Sequence, residues 1–166
     1  MGAGQGIRMP LVLGIGNSLL SDDGVGIHVI NALDSRREDG SASHEFQTRD
    51  GGTIGLALLS ELDRETDLIV VDAMELGAVA GTVRTFLNGD MDRQLTGTKR
   101  SAHEVALADL IMAAELSGCA PRRRALVAVQ PEITTWGLSP TPAVERAVGP
   151  ACDAVLTLIR EWSDER

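Results

Sequence analysis

Two aspartates and one histidine have the side chains of a divalent metal site and occupy comparable positions along the chain. Asp23 follows an apolar run and a glycine-rich turn, Asp72 lies near the end of the run DLIVVDA, and His103 lies in the first turn of a predicted helix. Carboxylate oxygens and an imidazole nitrogen together form a donor set that suits divalent transition metals. Each residue also has an ordinary structural interpretation, as a helix start, a strand-ending turn and a solvated helix residue, respectively.

The segments around these residues predict the elements that would bring them together. Residues 11–26, LVLGIGNSLLSDDGVG, predict a strand, a tight turn and the start of a helix, and residues 67–73 predict a strand buried on both faces. The capping box S-x-x-E opens a helix over 101–116. Right-handed crossovers place the two strand ends in one crevice. Because a helix start disfavours imidazolium, we expect a neutral, metal-binding ring at His103.

The remaining chain alternates between predicted strands and helices. Ser21 and Asp22 are the predicted caps of the first helix, which is followed by a polar loop at 34–43 and a short strand at 44–48. A helix at 54–62, capped by Thr53, precedes the strand at 67–73, and the next strand, at 82–87, is expected to form a hairpin with it. The other predicted segments are an exposed loop at 88–100, a strand at 124–130, an irregular loop at 131–140 and a final helix capped by Thr141. This alternation predicts a three-layer α/β sandwich with a mostly parallel sheet of about five strands flanked by helices. We expect residues 1–8 to form a loose extension and residues 9–166 to form a single domain.

Composition excludes several classes of protein. The net charge is −9, and no basic run extends beyond Arg122–Arg124, which argues against a nucleic-acid partner. No apolar run is long enough to span a membrane, and residues 1–8 lack the apolar core of a signal peptide. Cys119 and Cys152 have no CxxC spacing, so we expect a reduced, cytoplasmic setting and a core position for Cys152.

Other chemistries find less support in the sequence. It has no GxSxG nucleophile elbow, no HExxH and no P-loop. The run Gly14-Ile15-Gly16 lacks the third glycine of a dinucleotide fingerprint, and the following carboxylates would repel a pyrophosphate. His28 is interpreted as a packed helix residue, His44 lies in a weak strand, and Cys119 has no second feature of a nucleophile.

Five segments in register resemble the hydrogenase maturation proteases, the endopeptidases that complete the large subunit of nickel-iron hydrogenases. They are GIGNSLLSDDGVG at 14–26, DGGT at 50–53, IVVDAM at 69–74, HEVALADLI at 103–111 and GLSPTPAVE at 137–145. The resemblance covers the chain from Met9 to about Trp162. It implies the same α/β fold and a polypeptide substrate.

The resemblance also implies roles for four residues. Asp23, Asp72 and His103 align with the family's metal-contacting residues, the first of which is a glutamate or an aspartate in different members. Asp50 aligns with an aspartate implicated in cleavage or recognition, and its alternative role is that of a turn former. The expected metal is nickel carried by the substrate, for which other divalent cations could substitute.

The implied reaction is removal of a C-terminal extension from a nickel-loaded large-subunit precursor. Either a metal-bound water attacks the scissile amide, or the metal serves recognition and Asp50 or another carboxylate activates water. Two alternatives are a non-catalytic nickel-binding maturation chaperone and a different metal-dependent amidohydrolase. We expect the precursor to be the partner, with no nucleic acid or membrane involved, and favour a monomer.

Overall fold

A five-stranded sheet lies between two layers of helices. A computed structural model describes residues 9–52, 56–97 and 101–165, so the predicted extension at 1–8 lies outside the described residues. The strands are β1 (Leu11–Ile15), β2 (Gln47–Gly52), β3 (Leu68–Ala73), β4 (Val83–Leu87) and β5 (Arg124–Val129). The helices are α1 (Val25–Glu38), α2 (Gly89–Leu95), α3 (Ala102–Leu116) and α4 (Pro142–Asp164), with 3₁₀ turns at Ser21–Gly24 and Leu56–Glu61.

The strand order is β2-β1-β3-β5-β4, and only β4, paired with β5, is antiparallel. β3 is central and buried along its whole length, as its continuous apolar run predicts. One apolar core joins α1 and α4 to one face of the sheet, and a second joins α2 and α3 to the other. The predicted three-layer α/β sandwich with a mostly parallel sheet is therefore confirmed.

β4 is antiparallel, but the predicted hairpin with β3 is wrong. Both sides of β3 are taken by β1 and β5, and β4 pairs with the outer side of β5. The loop at 74–82 therefore passes the end of β5 before β4 begins. Its length is sufficient, because skipping one strand requires only two strand spacings, roughly 10 Å.

Two segments predicted as polar loops are partly helical. α1 extends through the first half of 34–43, and α2 occupies much of 88–100, of which residues 98–100 lie outside the described residues. Met91 and Leu95 are one helical turn apart and are both buried in the core that contains α3. Burial of these two side chains stabilises a helix too short and polar to be recognised by its periodicity.

The segment around β2 is displaced from its prediction. The expected strand at 44–48 begins later and continues through the glycines that were interpreted as a turn. A Cβ on Gly51 would lie 2.8 Å from Cδ1 of Leu13, so only glycine allows β2 to pack this closely on β1. The helix predicted at 54–62 is a 3₁₀ turn, and its proposed cap lies in the stretch 53–55, outside the described residues.

The later elements agree closely with their predictions. α3 begins with the expected capping box, in which the Ser101 hydroxyl accepts the Glu104 N–H and the Glu104 carboxylate accepts the Ser101 N–H. β5 and α4 lie where the patterns placed them, and Cys152 is buried in the core. These boundaries fix the start of α3, and with it the position of His103.

Candidate functional site

Asp23, Asp72 and His103 come together at the edge of the sheet where the parallel strands end. β1 and β3 are parallel neighbours, so the turn that carries Asp23 lies beside the end of β3, which carries Asp72. His103 enters from the first turn of α3. The sheet topology thus brings His103 next to Asp72 and Asp23, which are 31 and 80 residues away from it in the sequence.

Close backbone packing lets the Asp23 turn lie against the strand ends. A Cβ on Gly26, in the first turn of α1, would lie 2.4 Å from the carbonyl oxygens of both Ile15 and Val71. A Cβ on Gly14 would lie 2.5 Å from the Gly26 carbonyl oxygen. Both positions therefore require glycine, and they bring the start of α1 directly onto β1 and β3.

The three side chains form a continuous Asp–His–Asp hydrogen-bonded chain. Nε2 of His103 lies 2.8 Å from Oδ1 of Asp23, and Nδ1 of His103 lies 3.0 Å from Oδ2 of Asp72. The Asn17 N–H donates to the other oxygen of Asp23 at 3.0 Å. Among the described residues, Asp72 is fully buried, whereas Asp23 and His103 retain 8% and 7% exposure, so Asp72 is the least accessible of the three side chains.

The pKa values of Asp23, Asp72 and His103 are set by burial and by the hydrogen bonds and charges of their partners. Burial lowers the pKa of an imidazole, but the hydrogen bonds and charges of Asp23 and Asp72 outweigh burial and raise the pKa of His103 to about 10. Burial raises the pKa of Asp72 to about 6, against the opposing effect of His103. Burial also acts to raise the pKa of Asp23, but His103 and the Asn17 N–H hold it below its ordinary value.

His103 is therefore an imidazolium at neutral pH, and the expectation of a neutral ring is wrong. A helix start contributes only a partial positive charge, whereas two carboxylates contribute full charges at hydrogen-bond distance. The sequence reveals the helix start directly, but the two flanking charges become visible only when the strands are assembled. In this protonated state both ring nitrogens donate, one to each aspartate.

The side chains of Asp23, Asp72 and His103 are of the types that bind divalent cations, but here they bind one another. Within the described residues, no group of three or more His, Cys, Asp or Glu side chains is arranged so that it could hold a metal ion. Oδ1 of Asp72 is buried without a hydrogen-bond partner in that same part of the chain. Such an oxygen is normally satisfied, and a cation could satisfy it once the imidazole loses a proton.

Asp22, the neighbour of Asp23, has a different role from the helix cap that was predicted. Its carboxylate accepts the N–H groups of Glu132, Ile133 and Thr141 at 2.9, 3.0 and 2.6 Å, and the Thr141 hydroxyl at 2.9 Å. Burial acts to raise its pKa, but these four donors hold the pKa of Asp22 below its ordinary value. Asp22 thus fastens the 131–141 segment to the turn that carries Asp23.

The predicted caps of the two helices are consequently wrong in detail. Among the described residues, no side chain caps α1, which begins at Val25 with Gly24 at its N-cap, and the Thr141 side chain does not cap α4. Thr141 instead donates its hydroxyl to Asp22. Ser21 has φ of 51° and donates its hydroxyl to the Thr135 carbonyl at 2.9 Å. These polar side chains join two loops rather than ending helices.

Asp50 is an exposed residue of β2, where Gly14 of β1 is its register partner. Its Oδ1 accepts the Gly52 N–H at 2.8 Å, and Gly52 has φ of +46°. The turn-forming role considered for Asp50 is therefore present in the structure. Its participation in cleavage or recognition stays a prediction.

Gln130 is a buried polar residue of the same edge that sequence reasoning treated only as the end of a strand. Its Oε1 accepts the N–H groups of Leu76 and Ala78, and its Nε2 donates to Glu75 and to the Pro131 carbonyl. It therefore joins the loops that follow β3 and β5. The available sequence signal was a polar amide directly after the apolar run ALVAV, just as Asp72 directly follows the apolar run LIVV.

Comparison with known proteins identifies the class that this fold and site define. The family model described as hydrogenase maturation protease matches residues 27–158. The hydrogenase 2 maturation protease of Escherichia coli K12 is 34% identical over 151 residues, covering 91% of this chain and 90% of that protein. The hydrogenase expression/formation protein HupD of Bradyrhizobium diazoefficiens is 32% identical over 153 residues, covering 92% and 78%.

A solved structure of the hydrogenase maturating endopeptidase HybD from E. coli has the same fold, with a TM-score of 0.83, 31% identity and 93% coverage of both chains. The chain belongs to the hydrogenase maturation protease family. It is therefore related to endopeptidases in sequence as well as in fold. None of its described helices is long and apolar enough to cross a membrane.

Proposed function

We propose that this protein removes the C-terminal extension of a NiFe-hydrogenase large-subunit precursor and recognises the nickel that the precursor already carries. The endopeptidase activity follows from membership of the family. The recognition step is assigned to Asp23, Asp72 and His103. Nickel is then part of the substrate, and the protein needs no stored metal of its own.

The observation that carries this proposal is the Asp–His–Asp chain at the open edge of the sheet. Two carboxylates and one imidazole supply three donors of types that bind nickel and leave further coordination positions for the ligands of the precursor. The buried Oδ1 of Asp72 has no partner among the described residues, which supports its use as a donor.

The protonated state of His103 explains how the site would distinguish loaded from unloaded precursor. In the free protein, the imidazolium supplies the positive charge between the two aspartates. Metal binding must displace a proton from the ring, so binding of free nickel competes with a hydrogen-bonded ion pair. We therefore expect weak binding of free nickel and stronger binding when the precursor supplies additional contacts.

Two routes for the chemical step remain compatible with the fold. In the first, the residues of the Asp–His–Asp chain would hold the nickel of the substrate, which could supply a nucleophilic water and polarise the scissile carbonyl. In the second, the metal serves recognition and a carboxylate, Asp50 or another, activates the water. Asp23 is the more accessible aspartate of the Asp–His–Asp chain, so it is the one that can approach the substrate directly.

The direct test is to incubate the purified protein with nickel-loaded and nickel-free precursor and to follow the mass of the large subunit. We expect loss of the C-terminal extension from the loaded precursor only. Equal cleavage of both forms would contradict nickel recognition but would still support the endopeptidase activity. Tight binding of free nickel by calorimetry, with the precursor left at full length, would instead indicate a metal chaperone.

A further inference from the structure

Four large apolar side chains are exposed on the two loops beside the Asp–His–Asp chain. Leu19 belongs to the turn after β1, and Ile133, Trp136 and Leu138 belong to the loop after β5. Their exposures are 44%, 45%, 75% and 72%, respectively. We call these four residues the apolar rim. Exposed apolar side chains concentrated at one place commonly mark a site of protein contact.

The apolar rim is built on a backbone that is held in place. The Gly137 N–H donates to the Leu19 carbonyl and the Ser21 N–H donates to the Gly137 carbonyl, both at 2.9 Å. A Cβ on Gly137 would lie 2.3 Å from the Ser21 hydroxyl oxygen, so any larger residue there would displace the Ser21 hydroxyl from its present position. A surface fixed before binding loses little conformational entropy when a partner docks.

The loop after β5, which carries most of the rim, is hydrogen-bonded to the turn that carries the proposed nickel-recognition site. Asp22 holds the backbone of Glu132, Ile133 and Thr141, and the next residue, Asp23, is hydrogen-bonded to His103. An endopeptidase must bind the polypeptide on either side of the scissile bond. A chain that reaches Asp23 therefore passes the loops that carry the rim.

Charge narrows the kind of segment that fits. Across residues 16–24 and 130–141, the charged residues are Asp22, Asp23 and Glu132, with no lysine or arginine. Because Asp22 is buried and Asp23 is hydrogen-bonded to His103, the charge exposed on these loops is that of Glu132, which would repel acidic side chains of a substrate. Apolar side chains would instead bury the exposed rim. We propose that the apolar rim docks an apolar, non-acidic segment of the precursor next to the scissile bond, an inference that rests on the proposed function.

The test is the steady-state processing of nickel-loaded precursor by Trp136→Ala. We expect KM to rise at least about tenfold, as for truncation of a tryptophan central to an interface, with kcat changed little. Trp136→Phe should restore most of the loss because it keeps an apolar ring. Since Trp136 is 75% exposed, the thermal midpoint should match that of the wild type.

Leu116→Ala is the matched control. Leu116 is 84% exposed and ends α3, whose first turn carries His103, so it lies roughly 20 Å along the helix from the site. Its KM should equal that of the wild type. An unchanged KM for Trp136→Ala, or a fall in kcat alone, would overturn docking at the rim while processing by the wild type still supports the proposed function.

Failure of the wild type to process the loaded precursor would count against the proposed function rather than the rim. In that case, the affinity of immobilised precursor for wild type, Trp136→Ala and Leu116→Ala decides the question. Weaker binding by Trp136→Ala alone supports the rim. Equal binding by all three proteins, or no binding by any of them, overturns it.

Discussion

Asp22 and Asp23 are identical residues joined by one peptide bond, yet their carboxylates have different partners. Asp22 accepts four hydrogen bonds from the 131–141 segment, whereas Asp23 is bonded to His103 and to the Asn17 N–H. The sequence predicted a helix cap at Asp22 and a metal ligand at Asp23. It could not determine the partner of each, because those partners lie far away along the chain.

Asp72→Asn should reduce processing of nickel-loaded precursor by roughly 10- to 100-fold, the range observed when the partner of a metal-binding histidine is changed. The amide keeps the size of the carboxylate but removes a negative charge beside His103. The rate of extension loss, followed by mass spectrometry, measures the effect. Asp109→Asn, on the exposed face of α3, is the matched control and should process at the wild-type rate.

The stability of the protein should fall in alkaline solution because of His103. Its pKa is about 10 in the folded protein against an ordinary value of 6.5, so the folded state holds the proton more tightly. This stabilisation is complete below about 6.5 and is lost as the pH rises through about 10. Urea unfolding of wild type and His103→Gln over this range should show the difference between them shrinking. A constant difference would contradict the ion pair.

At the scale of elements, the sequence predicts the positions of strands and long helices better than it predicts which strands pair. The continuous apolar run of β3, the capping box of α3 and the apolar stripe of α4 are local patterns, and all three elements lie where they were predicted. The partner of β4 depends on which strands already flank β3, which is not a local property. α2 was missed because only two buried side chains stabilise it.

Asp22→Ala should destabilise the protein by about 3 kcal/mol, because it leaves three N–H groups and one hydroxyl, all partly buried, without their acceptor at roughly 1 kcal/mol each. Asp22→Asn keeps one acceptor oxygen and should lose less. Urea unfolding measures both changes. A loss below about 1 kcal/mol for the alanine variant would show that water replaces the carboxylate and that the hydrogen bonds of Asp22 do not stabilise the fold.

The contact between α1 and the sheet should not tolerate a methyl group. Gly26→Ala would place Cβ against two backbone carbonyls that cannot move independently, and we expect a loss of about 3 kcal/mol or more. Gly149→Ala, in α4, is the matched control, because a Cβ there would lie 4.0 Å from the end of the Arg36 side chain, an ordinary contact distance. That variant should gain about 0.5–1 kcal/mol from helix propensity.

At the scale of the whole molecule, the two edges of the parallel strands have different compositions. The carboxyl edge carries the Asp–His–Asp chain and the apolar rim. At the amino edge, Arg123 binds both oxygens of Asp67 at 2.8 and 2.6 Å, donates to the Trp162 carbonyl and lies over the Trp162 ring. The fold class and the meeting of Asp23, Asp72 and His103 were predictable from strand polarity, whereas the protonation of His103 required the assembled charges.

Arg123→Ala should therefore change stability without changing processing. Removing it leaves the buried Asp67 carboxylate without its guanidinium partner, and we expect a loss of about 2 kcal/mol, below the range for fully buried pairs because Arg123 is partly exposed. Thermal unfolding and precursor kinetics on the same preparation test the separation. A changed KM at temperatures where the variant is folded would contradict it.

The hydrogen bonds between Asp22 and the 131–141 segment bear on whether this segment can be exchanged between related proteases. The 131–141 segment contacts the turn that carries Asp23 through backbone N–H and carbonyl groups and the Thr141 hydroxyl, and these hydrogen bonds do not use the side chains of Ile133, Trp136 or Leu138. A segment grafted from another maturation protease should thus be accommodated, provided that Asp22, Gly137 and Thr141 are retained. Such a chimaera should keep the Asp–His–Asp chain as it is here, because none of its three residues lies in the grafted segment.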